Sequence, residues 1–184
     1  MLKSLKIDKT WTLFLDRDGV INKRIVDDYV LRVEQFEFLP GVVDAIVAFS
    51  KMFNRIVVVT NQQGIGKGMM TESDLHEIHS AMRKAIEAKG GKIDEVYFCP
   101  DLKEKKSLYR KPNIGMALKA KKQFADINFK KSIMVGDSLS DMQFGKRAGM
   151  ITVFANPNPH VAKKYPEFVD YYFEGLSDFS EVLK

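Results

Sequence analysis

The stretch TLFLDRDGVIN, residues 12–22, runs from an apolar segment directly into Asp-Arg-Asp-Gly. The apolar half is typical of a short buried strand, whereas neighbouring carboxylates repel each other and are poor strand formers. Residues i and i+2 of an extended chain project to the same side, so Asp16 and Asp18 are expected to face one point. The pattern therefore indicates a functional site where the first strand ends.

The composition indicates a globular protein and excludes several other classes. The 184 residues fit one domain, residues 1–184, and 45% hydrophobic with 29% charged residues is ordinary. The apolar runs are too short for a membrane span and the first residues lack the apolar core of a signal peptide, so we expect a cytoplasmic protein without a membrane partner. The net charge of +5 weakly favours anionic ligands, but no motif supports nucleic acid as a partner.

Short apolar runs alternate with longer amphipathic stretches along the chain. The predicted strands are Trp11–Leu15, Arg55–Thr60, Glu95–Phe98, Ser132–Val135 and Ile151–Phe154, with Tyr171–Phe173 as a candidate sixth. The predicted helices are Gly41–Phe53, Glu72–Lys89 (N-capped by Thr71 with Asp74), Ile114–Phe124, Leu139–Ala148 and Ser177–Leu183. This alternation is typical of βαβ units and predicts an α/β fold with a mostly parallel sheet covered on both faces.

Polar residues gather where the predicted strands end, which is where parallel sheets bind their ligands. The first, second and fourth strands end in such residues, and the loop after the third strand carries two cations. The set is Asp16, Asp18, Thr60, Asn61, Arg110, Lys111, Asp137 and Asp141. Each of these residues alone could simply stabilise a turn after a strand, but all of them together in this order favour a common site.

Three of these carboxylates, Asp16, Asp18 and Asp137, are expected to share one metal ion. Two unit charges about 4 Å apart interact by roughly 4 kcal/mol at an effective dielectric constant near 20, and a divalent cation removes that cost. Ligands that are all oxygen favour Mg²⁺, which also binds phosphate oxygens. A carboxylate beside Mg²⁺ can attack phosphorus, while Thr60 and Lys111 stabilise the equatorial phosphoryl oxygens.

The segments DRDGV (16–20), TN (60–61), RKP (110–112) and GDSLSD (136–141) resemble, in type, order and spacing, the haloacid dehalogenase-like phosphohydrolases. The resemblance implies a Rossmann-like three-layer α/β sandwich with a mostly parallel sheet, in which the first strand is central. It also implies that Asp16 is the nucleophile and Asp18 the general acid and then base. About 40 residues separate the first two motifs and no second domain interrupts the rest, which is typical of the capless type.

The same resemblance implies the other roles. Arg110 is expected to contact a substrate phosphate, Asn61 to position the phosphoryl group or its loops, and Asp141 to act as an auxiliary acid. The roles of Asn22, Asp27 and Tyr29, in the loop after the first strand, stay open between contact with a sugar and closure of the turn.

Longer segments indicate which group within this family the chain resembles most. FEFLPGV (36–42), VVVTNQQGIGKG (57–68) and RKPNIGM (110–116) are most similar to the group of heptose 1,7-bisphosphate 7-phosphatases and histidinol-phosphate phosphatases. The first activity is preferred, with histidinol phosphate or another phosphomonoester as the alternative substrate. The implied partner is a small phosphorylated sugar or related metabolite, and a monomer is expected. A receiver-type signalling domain also uses acids, Thr, Lys and Mg²⁺, but its phosphorylated Asp follows a later strand.

The loop before Arg110 departs from the family pattern. The resemblance implies a structural zinc held by Cys-x-His and Cys-x-Cys, whereas this chain has Cys99-Pro100-Asp101 and Ser107-Leu108-Tyr109. Structural zinc sites need four nitrogen or sulfur ligands, so no structural zinc is expected and Cys99 is predicted to be a small buried residue.

Two other features are interpreted as structural. Gly64-Ile65-Gly66-Lys67-Gly68 matches neither a Walker loop nor a dinucleotide-binding motif and is predicted to be a flexible loop near the site. His76 and His79 lie on a charged helix without the Glu and spacing of a zinc motif, and both are expected on the surface.

Overall fold

The computed structural model describes residues 5–25 and 28–183, so Asp27 lies outside the described residues. Six strands form one sheet in the order β3-β2-β1-β4-β5-β6, and every neighbouring pair is parallel. The strands are β1 Thr12–Leu15, β2 Arg55–Asn61, β3 Glu95–Cys99, β4 Ser132–Gly136, β5 Ile151–Ala155 and β6 Tyr171–Phe173. Strand β1 lies between β2 and β4, as the resemblance implied, and all the carboxyl ends face one edge of the sheet.

Helices cover both faces of this sheet, as predicted. They are α1 Val42–Met52, α2 Gln63–Gly66, α3 Glu72–Glu87, α4 Gly115–Gln123, α5 Leu139–Ala148, α6 His160–Lys164 and α7 Leu176–Leu183. Short 3₁₀ turns lie at Val33–Gln35, Lys103–Lys105, Phe129–Lys131 and Pro166–Phe168. No helix in the described part of the chain is both long and apolar enough to cross a membrane.

Alternate residues of the strands pack into separate cores on the two faces, because successive side chains of a strand point in opposite directions. Leu13 and Leu15 join Phe49 of α1 and Phe179 of α7 in one cluster. Phe14 joins a second cluster on the other face, with side chains of α4 and α5. The strands are thus buried on both faces, which fixes β1 rigidly beneath the site.

The predicted strands are confirmed to within one residue and the five predicted helices to within two. The predicted cap of α3 is present: Asp74 N donates to Thr71 Oγ1 (3.1 Å) and Thr71 N donates to Asp74 Oδ2 (2.7 Å). Helices α2 and α6 were not predicted. The four residues of α2 include two glycines and are too few to give a periodic apolar pattern.

Candidate active site

A cleft of about 690 Å³ opens at the carboxyl ends of β1, β2 and β4. All eight site residues predicted from the sequence line it, and nine further residues complete its walls. Those nine are Arg24, Ile25, Asp28, Tyr29, Val30, Gln63, Lys67, Ser138 and Ser140. The parallel sheet therefore brings together motifs that are more than a hundred residues apart in the chain.

Three buried carboxylates meet in the floor of this cleft. Ligand atoms of Asp16, Asp137 and Asp141 lie within 4.8 Å of one another. The Oδ1 atom of Asp137 is buried and has no hydrogen-bond partner in the described part of the chain. An unpartnered buried carboxylate oxygen is costly. A hard divalent cation would satisfy it, so the donor set fits Mg²⁺.

Lys111 is buried beside this acid cluster. Its Nζ lies 2.7 Å from Asp16 Oδ1 and 2.6 Å from Asp141 Oδ1, and it donates to the Val59 carbonyl at 2.7 Å. Asn61 fixes the backbone of the lysine, because Lys111 N donates to Asn61 Oδ1 (3.0 Å) and Asn61 Nδ2 donates to Lys111 O (3.2 Å). Asn61 therefore supports Lys111 from the end of β2.

Burial and mutual repulsion make the acids difficult to ionise without a cation. Burial raises the pKa of Asp16 to about 8; the charges of Asp141 and Asp137 raise it too, whereas Lys111 lowers it. Burial, together with the charge of Asp141, raises the pKa of Asp137 to about 6. Lys111 alone therefore does not keep both groups ionised at neutral pH, and a bound cation would.

Asp18 lines the cleft but is not one of the three clustered carboxylates. Its Oδ1 accepts from Arg17 Nη2 (2.9 Å) and Asn22 Nδ2 (3.0 Å), and its Oδ2 accepts from Gln62 Nε2 (2.8 Å). The expectation that Asp16 and Asp18 face one point assumed an extended chain through both residues. Strand β1 ends at Leu15, and the chain then turns, so the alternation of a strand does not apply.

The turn after β1 depends on Gly19. Its φ is +90°, a region that L-residues rarely adopt, and a Cβ there would lie 2.1 Å from Asp137 Oδ2. Gly136 has a similar function at the end of β4, where a Cβ would lie 2.1 Å from the Cβ of Asp141. Both glycines allow close approach of acids that come from different segments.

The two remaining predicted residues, Thr60 and Arg110, differ in how deeply they are buried in the cleft. Thr60 is buried, and its Oγ1 accepts from Gln62 Nε2 at 2.8 Å. Arg110 is half-buried and donates from Nη1 to the carbonyl of Asp101 at 3.1 Å. Thr60 thus lies with the buried polar groups, whereas Arg110 belongs to the outer part.

Sequence reasoning missed several supporting residues. Arg24 Nη1 lies 3.4 Å from Asp137 Oδ2, and Gln62 holds both Asp18 and Thr60. Asp141 also caps α5, since its Oδ2 accepts from Ser138 N at 3.1 Å and from Ser138 Oγ at 2.6 Å. The Ser-x-x-Asp pattern of residues 138–141 is the sequence signal that could have indicated this cap.

The prediction that His79 is exposed is wrong. The residue is 5% exposed, and its Nε2 lies 3.2 Å from Nη1 of Arg17, which is itself fully buried. His76, three residues earlier, is exposed as predicted. Helix α3 therefore turns one of its two histidines toward the turn after β1.

Cys99 is buried, as predicted. Its Sγ lies 3.7 Å from Asp101 Oδ2 and 3.8 Å from Ser107 Oγ, distances at which a thiol makes weak hydrogen bonds. These contacts join the two ends of the loop that precedes Arg110. The absence of a structural zinc stays a prediction.

Comparison with known proteins gives the family. Residues 6–167 match the family described as polynucleotide kinase 3 phosphatase. The chain is 43% identical over 145 residues to D-glycero-alpha-D-manno-heptose-1,7-bisphosphate 7-phosphatase of Campylobacter jejuni, which covers 79% of this chain and 81% of the relative. It is 34% identical over 180 residues to D-glycero-beta-D-manno-heptose-1,7-bisphosphate 7-phosphatase of Salmonella typhi, which covers 94% of each.

A solved structure agrees with this assignment. The D,D-heptose 1,7-bisphosphate phosphatase of B. bronchiseptica, complexed with magnesium and phosphate, is 29% identical with a TM-score of 0.85, over 94% of this chain and 97% of that one. The chain therefore belongs to the haloacid dehalogenase-like phosphatases, in the family described as polynucleotide kinase 3 phosphatase.

Proposed function

We propose that this phosphatase hydrolyses the 7-phosphate of D-glycero-D-manno-heptose 1,7-bisphosphate with the help of Mg²⁺. The observation that carries the proposal is the buried Asp16 carboxylate, which lies 2.7 Å from Lys111 Nζ and within 4.8 Å of two further acids. The names of relatives that cover most of the chain support the substrate. The single sheet, whose strands span residues 12–173, supports one domain.

Asp16 is the proposed nucleophile. One of its oxygens forms a bond to phosphorus as the bond from phosphorus to the sugar oxygen breaks, which gives an aspartyl-phosphate and an alcohol. Lys111 Nζ and the hydroxyl of Thr60 are proposed to stabilise the negative charge on the equatorial oxygens. Asp141 orients Lys111 through its 2.6 Å ion pair.

Asp16, Asp137 and Asp141 are the groups that would hold Mg²⁺. The ion would neutralise the carboxylates and the phosphoryl charge. The side chain of Asp18 was also expected among the ligands, but it does not belong to the group of carboxylates whose ligand atoms lie within 4.8 Å of one another. The proposed set of side chains therefore has Asp141 where the sequence suggested Asp18.

Asp18 is the proposed proton carrier: it gives a proton to the leaving sugar oxygen and later takes one from the attacking water. Although burial raises the pKa of Asp18, the charge and hydrogen bonds of Arg17, with the bonds from Asn22 and Gln62, hold it below its usual value. These bonds favour the ionised form, which is the form required to activate water in the second step. The acid role in the first step requires that Asp18 take up a proton before the sugar oxygen leaves.

The test compares Asp16→Asn with the wild-type protein on the heptose bisphosphate, with phosphate release as the measurement. We expect loss of more than 99% of turnover with an unchanged circular dichroism spectrum. Asp44→Asn, a change at an acid in the first turn of α1, is the matched control and should keep full activity. Retention of more than a few per cent of activity by Asp16→Asn would reject the nucleophile. A wild-type preference for histidinol phosphate of tenfold or more would reject the substrate.

A further inference from the structure

Arg17 is a fully buried cation that links the turn after β1 to helix α3. Its Nη2 and Nε atoms lie 2.9 Å and 3.3 Å from Asp18 Oδ1, and its Nη1 atom lies 3.2 Å from His79 Nε2. Because a guanidinium only donates hydrogen bonds, the Nε2 atom of His79 is the acceptor and carries no proton. The ring of His79 is therefore neutral, with its hydrogen on Nδ1.

Packing holds His79 in place on α3. The residue is 5% exposed, and the centre of its ring lies 6.3 Å from that of Phe98 on β3. Phe98 also packs against the hydrophobic cluster that contains Leu75 and Ile78 of the same helix. The acceptor for the guanidinium thus comes from a helix that is packed against the sheet, so its position is well defined.

The two carboxylate oxygens of Asp18 have different surroundings. Oδ1 accepts from Nε and Nη2 of Arg17 and from Asn22 Nδ2 at 3.0 Å. Oδ2 accepts from Gln62 Nε2 at 2.8 Å, which is its one hydrogen bond in the described part of the chain. A carboxylate oxygen has two lone pairs, so Oδ1 is saturated and Oδ2 keeps one lone pair free. Oδ2 is therefore the atom from which a proton can pass to the leaving sugar oxygen.

We propose that His79 is a positioning residue for the proton carrier, because it holds the guanidinium of Arg17 against Oδ1 of Asp18. The inference rests on the proposed function, in which Asp18 gives its proton to the sugar oxygen as the bond from phosphorus to that oxygen breaks. Without the acceptor on His79, a buried donor of a charged group would lose its hydrogen bond, which is costly. The guanidinium would turn to recover a bond, and Asp18 would lose two of the three donors that orient Oδ1.

A displaced Asp18 would slow only those reactions whose leaving group needs a proton. The alkoxide of a sugar is a poor leaving group, and general-acid help is typically worth about 100-fold to 10,000-fold. A nitrophenolate leaves without a proton. The value of kcat/KM reports the transfer of the phosphoryl group to Asp16, so its ratio for the two kinds of substrate separates a displaced proton carrier from general damage to the site.

The experiment measures kcat/KM with Mg²⁺ on heptose 1,7-bisphosphate and on p-nitrophenyl phosphate. We expect His79→Leu to lower the value for the sugar phosphate by about tenfold to a hundredfold and the value for the aryl phosphate by less than about threefold. His79→Gln should keep most of the wild-type ratio, because its Oε1 atom can accept from Arg17. His76→Leu, at the exposed histidine one turn earlier, is the matched control. Equal losses of His79→Leu on the two substrates would overturn the proposal.

The tautomer of His79 provides a measurement on the wild-type protein that does not depend on how the variants fold. Nitrogen-15 NMR at pH 7.5 should show His79 with a proton on Nδ1 and none on Nε2, and the spectrum of His79→Gln assigns the signal. A proton on Nε2 would exclude the bond from Arg17 and overturn the proposal.

Asp18→Asn distinguishes failure of this inference from failure of the proposed function. We expect its first turnover to be slowed selectively on the sugar phosphate, as in His79→Leu but more strongly. A selective loss in Asp18→Asn without one in His79→Leu would overturn the role of His79 alone. Equal losses of Asp18→Asn on the two substrates would overturn Asp18 as the proton carrier, and the role of His79 with it.

Discussion

Gly19 shows how a single residue shapes the site. The residue has φ +90°, and any Cβ at this position would overlap the carboxylate of Asp137, with 2.1 Å to Oδ2. The glycine in Asp-x-Asp-Gly is therefore required for two reasons, the backbone conformation and the approach of an acid from β4. Only the second reason concerns the acid cluster, and this allows an experiment to separate them.

Gly19→Ala is expected to lower kcat/KM by at least tenfold, because Asp137 must move away from Asp16 and Asp141. Gly90→Ala is the matched control: Gly90 has φ +84°, but a Cβ at this position would meet no atom of another described segment within 4 Å. Both variants should lose about 1–2 kcal/mol of stability from the unfavourable φ, measured by urea unfolding. If Gly90→Ala lost as much activity as Gly19→Ala, the overlap with Asp137 would not be the cause.

Some positions in the site could be predicted from single residues and others could not. Asp16 and Asp137 meet as predicted, because each directly follows a strand that was easy to recognise, and Lys111 reaches Asp16 from the loop between β3 and α4. The bonds of Asp18 could not be predicted, since they depend on β1 ending at Leu15 and on the turn that follows. The buried contact of Asp141 with Lys111 depends on how closely α5 approaches β4 at Gly136.

Helix α3 is attached to the turn after β1 through a buried pair. Arg17 Nη2 donates to Asp18 Oδ1 at 2.9 Å, and Arg17 Nη1 lies 3.2 Å from His79 Nε2. Burial lowers the pKa of His79 to about 3, and the positive charge of Arg17 lowers it as well. The ring is therefore neutral at physiological pH, and Nε2 can accept a hydrogen bond from the guanidinium.

Because folded His79 stays neutral, it makes the free energy of unfolding decrease as the pH falls. The unfolded histidine binds a proton near pH 6.5, whereas the folded one does so only near pH 3. Its contribution is therefore fully present above pH 6.5 and is lost as the pH falls. At pH 5 the loss amounts to about 2 kcal/mol, and His79→Gln should remove this part of the pH dependence.

Urea unfolding at pH 7.5 and pH 5 measures the effect. His76→Gln, a change at the exposed histidine of the same helix, should keep the wild-type difference between the two pH values. The acids of the cluster titrate in all three proteins, so the comparison isolates His79. A wild-type difference that His79→Gln leaves unchanged would contradict a neutral, buried His79.

Most strands and helices could be predicted, because the residue types within each one and the spacing of its apolar residues favour the same secondary structure. Runs of Val, Ile and Phe indicated the strands, and Thr71 with Asp74 indicated the start of α3. Helix α2 could not be predicted, because four residues with two glycines carry no helical period. The buried face of α3 at His79 was also missed, since a histidine at that position is expected to be exposed until the partner Arg17 is known.

At the scale of the whole molecule, the net charge of the protein and the charge of its cleft floor have opposite signs. The chain carries a net charge of +5, yet the floor of its main cleft holds three acids within 4.8 Å of one another. A positive net charge attracts an anionic substrate such as a phosphate ester. The three acids of the floor would repel the same substrate. The cleft is therefore suited to a phosphate ester only when a cation neutralises these acids.

This balance predicts how pH and Mg²⁺ together determine stability. Without a cation, the pKa of Asp16 is raised to about 8 and that of Asp137 to about 6, so the folded protein keeps protons that the unfolded chain has lost. The contribution of these two groups to the free energy of unfolding therefore falls as the pH rises from about 4 to 8. Mg²⁺ competes with those protons, and its binding should strengthen over the same range.

Thermal unfolding with EDTA or with Mg²⁺ tests this coupling. At about 100 times its Kd, the ion should stabilise the protein by about 2.7 kcal/mol near pH 8, and by much less near pH 5 at the same concentration, where protons occupy the acids. Asp137→Asn should lose most of the shift at pH 8. Phosphatase activity should disappear with EDTA and return with Mg²⁺. A shift that is equal at the two pH values, or that persists in Asp137→Asn, would mean that the ion binds away from the three clustered acids.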